Sequence, residues 1–489
     1  MSFLDIRHYK YLTSIIDRNL DFPAFMDFEH HYQVSANKEQ YSIEKAYFSY
    51  KESLIENTID PKLRSIIDME SELLPVLSDM ERTGVYVDAE QLRVIGEDIA
   101  RESKNKELEI YDLVGERFNI NSAKQVQVIL FEKLGIPVSK KIKTGYTVDN
   151  EALSLIGQKY EIANIILQYR TLEKLRSTYI DGLLKVINPE TKRIHTTYNQ
   201  LGASTGRLSS EAPNLQNIPS GEGYPAQIKS CFRPKPPHST SHKGAAFGEP
   251  LPGGEGVSEY LFLVADYSQV ELRILASLSG DASLIDTFTR GEDIHTRTAR
   301  FLFGEQTTIT SELRRIAKSV NFGVIYGITG FGLSKVINTS PAEATKYIDA
   351  FYAMYPGVRT YYQSILDGAH KNGYVETFYG RRRHTPGVRD SNKMIRAGAE
   401  REAINMPIQG TAADIIKIAM IEIAHFLERG SYKSRMLLQV HDELVFEVHE
   451  SEKEVVEKQI RSIMEGVFSG NVKLLVDIHT GRDWADAKG

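Results

Sequence analysis

An α+β fold is predicted by three segments whose residue periods differ. Residues 437–446, Leu-Leu-Gln-Val-His-Asp-Glu-Leu-Val-Phe, form two short apolar runs around Asp442-Glu443. Each run has the length of a strand, and the charged turn between them is short enough only for a hairpin. Upstream, Tyr260-Leu261-Phe262-Leu263-Val264-Ala265 reads as a buried strand that leads straight into Asp266-Tyr267-Ser268-Gln269-Val270-Glu271. Residues 314–327 instead repeat Arg314, Lys318, Phe322 and Tyr326 every fourth position. At ~3.6 residues per turn this spacing is a slowly drifting stripe on one helix face.

Each segment carries chemistry. If the two strands are neighbours, Asp266 and Asp442 can share metal ions. Oxygen-only ligands suit Mg²⁺, commonly held by one or two carboxylates together with substrate phosphates. Two such ions ~4 Å apart clamp an in-line phosphoryl displacement. Taken alone, Asp442-Glu443 is more often a solvated hairpin tip. The helical stripe sets two cations ahead of two rings, a face that fits a nucleoside triphosphate. An anonymous amphipathic helix would more often bury such rings in a core, but the two metal-ligand candidates shift the balance.

The segments 266–273, 314–327 and 440–443 resemble, in order, the three signature motifs of the bacterial DNA polymerase I family, family A. Before, between and after them lie further similar stretches: Thr205-Gly206-Arg207-Leu208-Ser209-Ser210, Pro213-Asn214-Leu215-Gln216-Asn217-Ile218-Pro219, Asp293-Ile294-His295-Thr296, Gly380-Arg381-Arg382-Arg383, residues 405–414 and Gly481-Arg482-Asp483-Trp484. The similarity covers about residues 44–489, and several long ordered motifs are far more specific than one short pattern. It implies a right-hand polymerase fold with an antiparallel-sheet palm and helical fingers and thumb.

The chain has 489 residues, long for one core, which suggests two to four subdomains. No apolar run approaches the ~18 residues of a membrane span, and Met1-Ser2-Phe3-Leu4-Asp5 lacks the features of a signal peptide. The single cysteine, Cys231, excludes an internal disulfide framework and a Cys-based zinc site. An intracellular, cytoplasmic and nucleoid-associated protein is expected, with an organellar or viral source left open. The net charge of −6 is unevenly spread. Residues 1–100 hold 10 Lys+Arg against 19 Asp+Glu, and the rest hold 49 against 46. From Arg381 to Arg401, six Arg and one Lys face only Asp390 and Glu400, a local basic surface of the kind phosphate binding depends on.

In chain order, 1–66 is expected to be the remnant of a missing exonuclease domain. Its Asp27-Phe28-Glu29 has the acid spacing of a proofreading motif but too little chain around it to form that domain. Residues 67–88 begin the palm, with helical spacing from Glu70 and a short strand after Gly84. Residues 89–190 read as a helical thumb, with Asn121-Ser122 as a cap and Lys140, Lys141, Lys143 and Lys159 available to phosphates. Palm strands occupy 191–280, helical fingers 281–404, and palm again 405–489, where Gln409 is expected to open a helix. The departure from the family is 234–259, whose Pro, Gly and Ser content predicts a surface loop dispensable for chemistry.

The resemblance implies DNA-templated DNA synthesis on a primer 3′-hydroxyl, with pyrophosphate release and without proofreading. Asp266 and Asp442 would ligate two Mg²⁺ ions, for which Mn²⁺ could substitute, with the Tyr267 carbonyl as a further ligand and Glu443 as an auxiliary or a solvated side chain. Lys318 and Arg314 would meet the leaving phosphates, with His295 nearby, and Lys318 could donate a proton. By the same resemblance Glu271, Phe322, Tyr326 and Gln269 would line the nucleotide site, and Glu271 would bar a ribose hydroxyl. Arg207, Asn217, Arg401, Asn405, Gln409, Gln439 and His441 would hold primer and template. The partners are primer-template DNA and deoxynucleoside triphosphates, bound by a monomer with no membrane contact. Two alternatives stay open: a polymerase of relaxed template choice such as a reverse transcriptase, and a catalytically idle nucleic-acid-binding protein.

Overall fold

The computed structural model describes residues 61–137, 141–142, 145–234 and 259–488. The expectations for 1–60 with Asp27 and Glu29, for the side chains of Lys140, Lys141 and Lys143, and for 235–258 of the insertion lie outside the described residues. Helix α1 (Pro61–Thr83) passes through Gly84 into strand β1 (Val85–Val87) and helix α2 (Ala89–Val114). Next come α3 (Glu161–Lys174), β2 (Arg193–Ile194), β3 (Phe232–Arg233) and β4 (Tyr260–Tyr267). Helices α4 (Val270–Ser279), α5 (Ile294–Phe303) and α6 (Ser311–Ile325) precede the hairpin of β5 (Tyr374–Glu376) and β6 (Arg382–His384). The chain ends with α7 (Lys393–Arg429), β7 (Arg435–Val440), β8 (Glu443–His449), α8 (Lys453–Gly466) and β9 (Val476–Gly481).

Helix α7 departs from the sequence expectation, starting at Lys393 rather than near Gln409. Pro407, which reads as a helix breaker, lies inside it. A proline there supplies no N–H to the preceding turn, and the Thr411 hydroxyl donates to the Pro407 carbonyl at 2.5 Å. The Asn392 side chain caps the true start by accepting from Met394 N at 2.9 Å.

The chain forms two compact units. Among the described residues, the second comprises Arg82–Thr197, 211–234, 259–264 and 479–488. Its antiparallel sheet has the order β2-β1-β3, with Val85 opposite Ile194 and Val87 opposite Phe232. Gly84 has φ +61°, and a Cβ there would stand 2.6 Å from the Ile194 carbonyl oxygen, so only glycine makes this turn. Asp88 starts α2 by accepting from Gln91 N at 3.0 Å. Farther along, Ile110 and Val114 of α2 join Leu130, Ile166 and their neighbours in a separate apolar core. The expected cap at Ser122 is present, its hydroxyl accepting from Gln125 N.

The first unit comprises 61–81, Tyr198–Ser210 and Ala265–Ile478. It holds the hairpin of β7 and β8, in a sheet of order β7-β8-β4-β9, and the expected hairpin pairs Val440 with Glu443. The same unit holds a charge cluster with almost no access to water. Glu70 and Lys417 are fully buried, as is Asp414, and Arg381 is 7% exposed. Glu70 Oε1 accepts from Lys417 Nζ at 2.5 Å and from Arg381 Nη2. The other Glu70 oxygen accepts from Gln200 Nε2 at 2.6 Å. Arg381 Nε donates to Asp414 Oδ1 at 2.7 Å, and the Thr377 hydroxyl donates to Asp414 Oδ2. Gly206, at φ +84°, rests on this cluster; a Cβ there would lie 2.6 Å from Arg381 Nε.

In the same unit α5 packs on α6 through His295, which is 2% exposed and shares a 2.9 Å hydrogen bond between its Nδ1 and Asn321 Nδ2. Burial pushes the imidazole down to about 4, against the opposing pull of Asp293.

Glu70→Gln leaves two buried cations facing one carboxylate and should cost about 3–5 kcal/mol, seen as a lower denaturant midpoint. His295 should contribute a second, pH-dependent effect. Its folded-state pKa lies below the unfolded one of ~6.5, so its stability contribution is complete above that pH and is lost on acidification toward about 4. The loss should approach ~3 kcal/mol, and urea titrations across this window should show it in the native chain but not in His295→Leu.

Candidate active site

Strand β4 delivers Asp266 to the edge of the hairpin turn that carries Asp442. The two are tied through the backbone, since Tyr267 N donates to the Asp442 carbonyl at 3.2 Å. Tyr267 is buried, and its hydroxyl donates to Met464 O at 2.8 Å. Burial raises the Asp442 carboxyl above the usual range, opposed by Arg207 and His441. Glu443 is not a solvated tip: it opens β8 and is 2% exposed. The turn places His441 at φ +55°, and on the other side of the pair Gln269 caps α4 at φ +53°. Gln439, also buried, reaches back so that its Nε2 donates to the His441 carbonyl, while its backbone N donates to the Tyr198 hydroxyl at 3.0 Å.

A second group meets at Glu271 in the first turn of α4. Its carboxylate is 4% exposed and held on both oxygens: Arg207 Nη2 donates to Oε1 at 2.7 Å, and the Tyr326 hydroxyl donates to Oε2 at 2.7 Å. The same Arg207 nitrogen stands 3.8 Å from Asp442 Oδ1. Burial raises the Glu271 carboxyl, while Arg207 and the Tyr326 hydrogen bond pull it the other way. Tyr326 is the C-cap of α6, so the stripe predicted from the sequence runs along that helix and ends on the residue that touches Glu271. Lys318 is exposed, with its ammonium 6.0 Å from the Phe322 ring centroid. Arg314 makes two hydrogen bonds to Asp293, at 2.7 and 3.2 Å. Partial burial pushes the Asp293 carboxyl up, but the bonds from Arg314 and Thr296 hold it at about 2. His295 lies behind this face, buried, with its ring 5.6 Å from that of Phe322.

Arg401, Asn405 and Gln409 follow one another at steps of four along α7 and therefore share a face. A Cβ on Gly327, at φ +63°, would lie 3.1 Å from Arg401 Cγ, so the turn after α6 packs directly on this helix. Asn405 Oδ1 is buried without a hydrogen-bond partner. Asn217 is exposed and belongs to the second unit.

The carboxylates could hold a divalent cation through oxygen alone, from Asp266, Asp442 and the Tyr267 carbonyl. Among the described residues no group of three or more His, Cys, Asp or Glu could do so. Sequence reasoning missed the buried cluster of Glu70, Arg381, Asp414 and Lys417, the Asp293 partner of Arg314, and the Tyr198 hydroxyl under Gln439. A signal existed for the first: Glu70 falls on the apolar stripe of Ile66, Leu73 and Leu77, where an acid has no place without a partner.

The family model for DNA polymerase family A matches residues 89–486. DNA polymerase I of Bacillus subtilis (strain 168) is 43% identical over 442 residues, covering 90% of this chain and 48% of that protein. DNA polymerase I of Geobacillus stearothermophilus is 42% identical over 426 residues, 87% of this chain and 46% of that protein. The chain thus spans about half the length of the curated relatives it matches. The solved POL domain of Pol1 from M. smegmatis, in complex with DNA primer-template and dNTP, superposes with a TM-score of 0.79 at 38% identity, covering 87% of this chain and 72% of that one. On sequence and α+β right-hand architecture alike, the chain belongs to DNA polymerase family A.

Proposed function

We propose that this chain is a DNA-templated DNA polymerase that adds deoxynucleotides to a primer 3′-hydroxyl and releases pyrophosphate. The observation that carries this reading is the meeting, within one compact unit, of the Asp266–Asp442 pair, the doubly held Glu271 and the end of the α6 stripe. The relative from M. smegmatis is described with primer-template and dNTP bound, which supports the same partners here.

Asp266, Asp442 and the Tyr267 carbonyl would hold Mg²⁺, or Mn²⁺ in its place. When bound, such ions polarise phosphoryl oxygens and make the attacking hydroxyl a better nucleophile. The remaining work falls to side chains. Lys318, exposed on α6, is placed to neutralise the triphosphate, and Arg314 can contribute once it exchanges Asp293 for phosphate. Phe322, between Lys318 and Tyr326 on the stripe, offers a ring to the base or sugar. Glu271 is kept in the path of a ribose 2′-hydroxyl by the Tyr326 hydroxyl, which holds Oε2 whether or not Arg207 stays on Oε1. Arg401, Asn405 and Gln409 on one face of α7, with Gln439 and His441 at the hairpin, supply donors for the minor-groove acceptors that every base pair presents. The unpartnered Asn405 Oδ1 can accept from the minor-groove donor, the guanine amino group. Palm at 67–88, 191–280 and 405–489, fingers at 281–404 and thumb at 89–190 remain the proposed division of labour.

Asp266→Ala and Asp442→Ala should each slow primer extension on the order of 10³-fold or more, the equivalent of ~4 kcal/mol of transition-state stabilisation. Gel-shift affinity for primer-template should be little changed. Near-normal turnover in either variant would refute the ligand assignment, and running DNA and RNA templates side by side decides template choice.

Glu271→Ala should raise the kcat/KM ratio of ribo- to deoxynucleotide by at least about 10-fold. An unchanged ratio would mean that Glu271 is a structural anchor for Tyr326 rather than a sugar gate.

A further inference from the structure

The family resemblance asks Arg207 to hold the primer end, yet its guanidinium already has partners within the protein. Nη2 donates to Glu271 Oε1 at 2.7 Å and stands 3.8 Å from Asp442 Oδ1. One cation therefore lies between the sugar gate and a metal-ligand carboxylate, satisfying the first by hydrogen bond and the second by charge.

Its position is set from both ends. At the backbone end, Gly206 rests against buried Arg381 with no room for a methyl group. At the side-chain end, Glu271 is held from the other side by the Tyr326 hydroxyl at 2.7 Å. The Arg207 and Asp442 side chains are each only 35% exposed, so water screens their mutual charge poorly. A divalent cation arriving at Asp442 would meet a guanidinium already holding part of that carboxylate's field, and like charges at this range repel.

We infer that Arg207 is an internal counter-ion of Asp442, opposing divalent-cation binding in the free protein until a primer end draws the guanidinium away. This rests on the polymerase reading and extends it, because metal loading becomes a consequence of primer binding. The acceptors at the minor-groove edge are common to all correct base pairs, so any paired primer end can compete for the guanidinium, whatever its sequence. A mispaired end presents those acceptors out of place and leaves Arg207 on Asp442. By linkage the coupling is reciprocal: a cation at Asp442 favours release of Arg207 toward the primer by the same factor.

The test is Mn²⁺ binding to the full chain without nucleotides, read from the electron paramagnetic resonance signal of free Mn²⁺. Arg207→Met and Arg207→Gln, run together so that the result does not depend on one variant's folding, should each bind Mn²⁺ about 10-fold or more tightly than the wild type. Arg207→Lys should stay near the wild-type affinity. Adding Asp442→Ala should remove the gain. A matched primer-template with a dideoxy-terminated primer should tighten the wild type toward the Arg207→Met value and leave Arg207→Met itself unmoved, after subtraction of binding seen in Asp442→Ala. Unchanged Mn²⁺ affinity in both uncharged variants, a gain that survives Asp442→Ala, or equal tightening of wild type and variant by primer-template would each overturn the inference. Extension by the wild type and its loss in Asp442→Ala test the polymerase reading separately. Normal extension with unchanged Mn²⁺ affinity defeats the counter-ion alone; absent extension with an Asp442-dependent gain defeats the polymerase reading alone.

Discussion

The ion cluster of Glu70, Arg381, Asp414 and Lys417 sets the register of the first unit. Buried ion pairs contribute little net stability compared with apolar side chains of the same volume, yet separating one is expensive. Their effect is therefore on which arrangement forms. The four charges come from α1, from the loop before β6 and from two positions on α7. A slide of α7 by one residue would strand Asp414 and Lys417 among apolar neighbours. The cluster thus fixes that long helix, and with it the face carrying Arg401, Asn405 and Gln409.

The same cluster reaches the chemistry in two steps. Gly206 seats on Arg381, and the next residue, Arg207, extends to Glu271, which in turn receives the Tyr326 hydroxyl at the end of α6. The backbone tie between Tyr267 and Asp442 is of a different kind, being part of the sheet and kept for as long as the sheet is folded. The carboxylates are therefore placed by strand pairing, whereas the residues around them are placed by side-chain hydrogen bonds. Side-chain bonds can be exchanged for substrate contacts without unfolding any element, and this is the arrangement a site needs if its ligands are fixed and its partners are not.

What the sequence made legible was local. The hairpin at 437–446, the strand into Asp266 and the four-residue stripe on α6 each lie within about a dozen residues, and period alone reveals them. The adjacency of β4 and β8, a condition in the sequence reading, is realised in the sheet order. What stayed hidden depends on residues far apart. Glu70 meets Lys417 across 347 positions and Arg381 across 311, and no periodicity records such a pairing. The burial of His295 is hidden for the same reason: it depends on Asn321 of another helix. Helix α7 was given too late a start, although Asn392 is a local capping signal and the helix runs on through Pro407. Glu443 illustrates the limit of a turn signal, because the charged residue after the tip already belongs to the buried strand.

Backbone geometry adds a constraint beyond the side chains. Gln269 and His441 lie within three residues of Asp266 and one of Asp442, and both hold the left-handed conformation that costs a non-glycine residue roughly 1 kcal/mol or more. Glycine at either position would relax the backbone but erase a side chain beside the carboxylates. The two turns that aim the acids are thus places where local stability and chemical equipment oppose each other. A search for more heat-resistant versions of this chain has little to gain there, and better prospects at the exposed apolar surface of α2, where Val94, Leu108 and Leu113 stand in solvent and no charge depends on them.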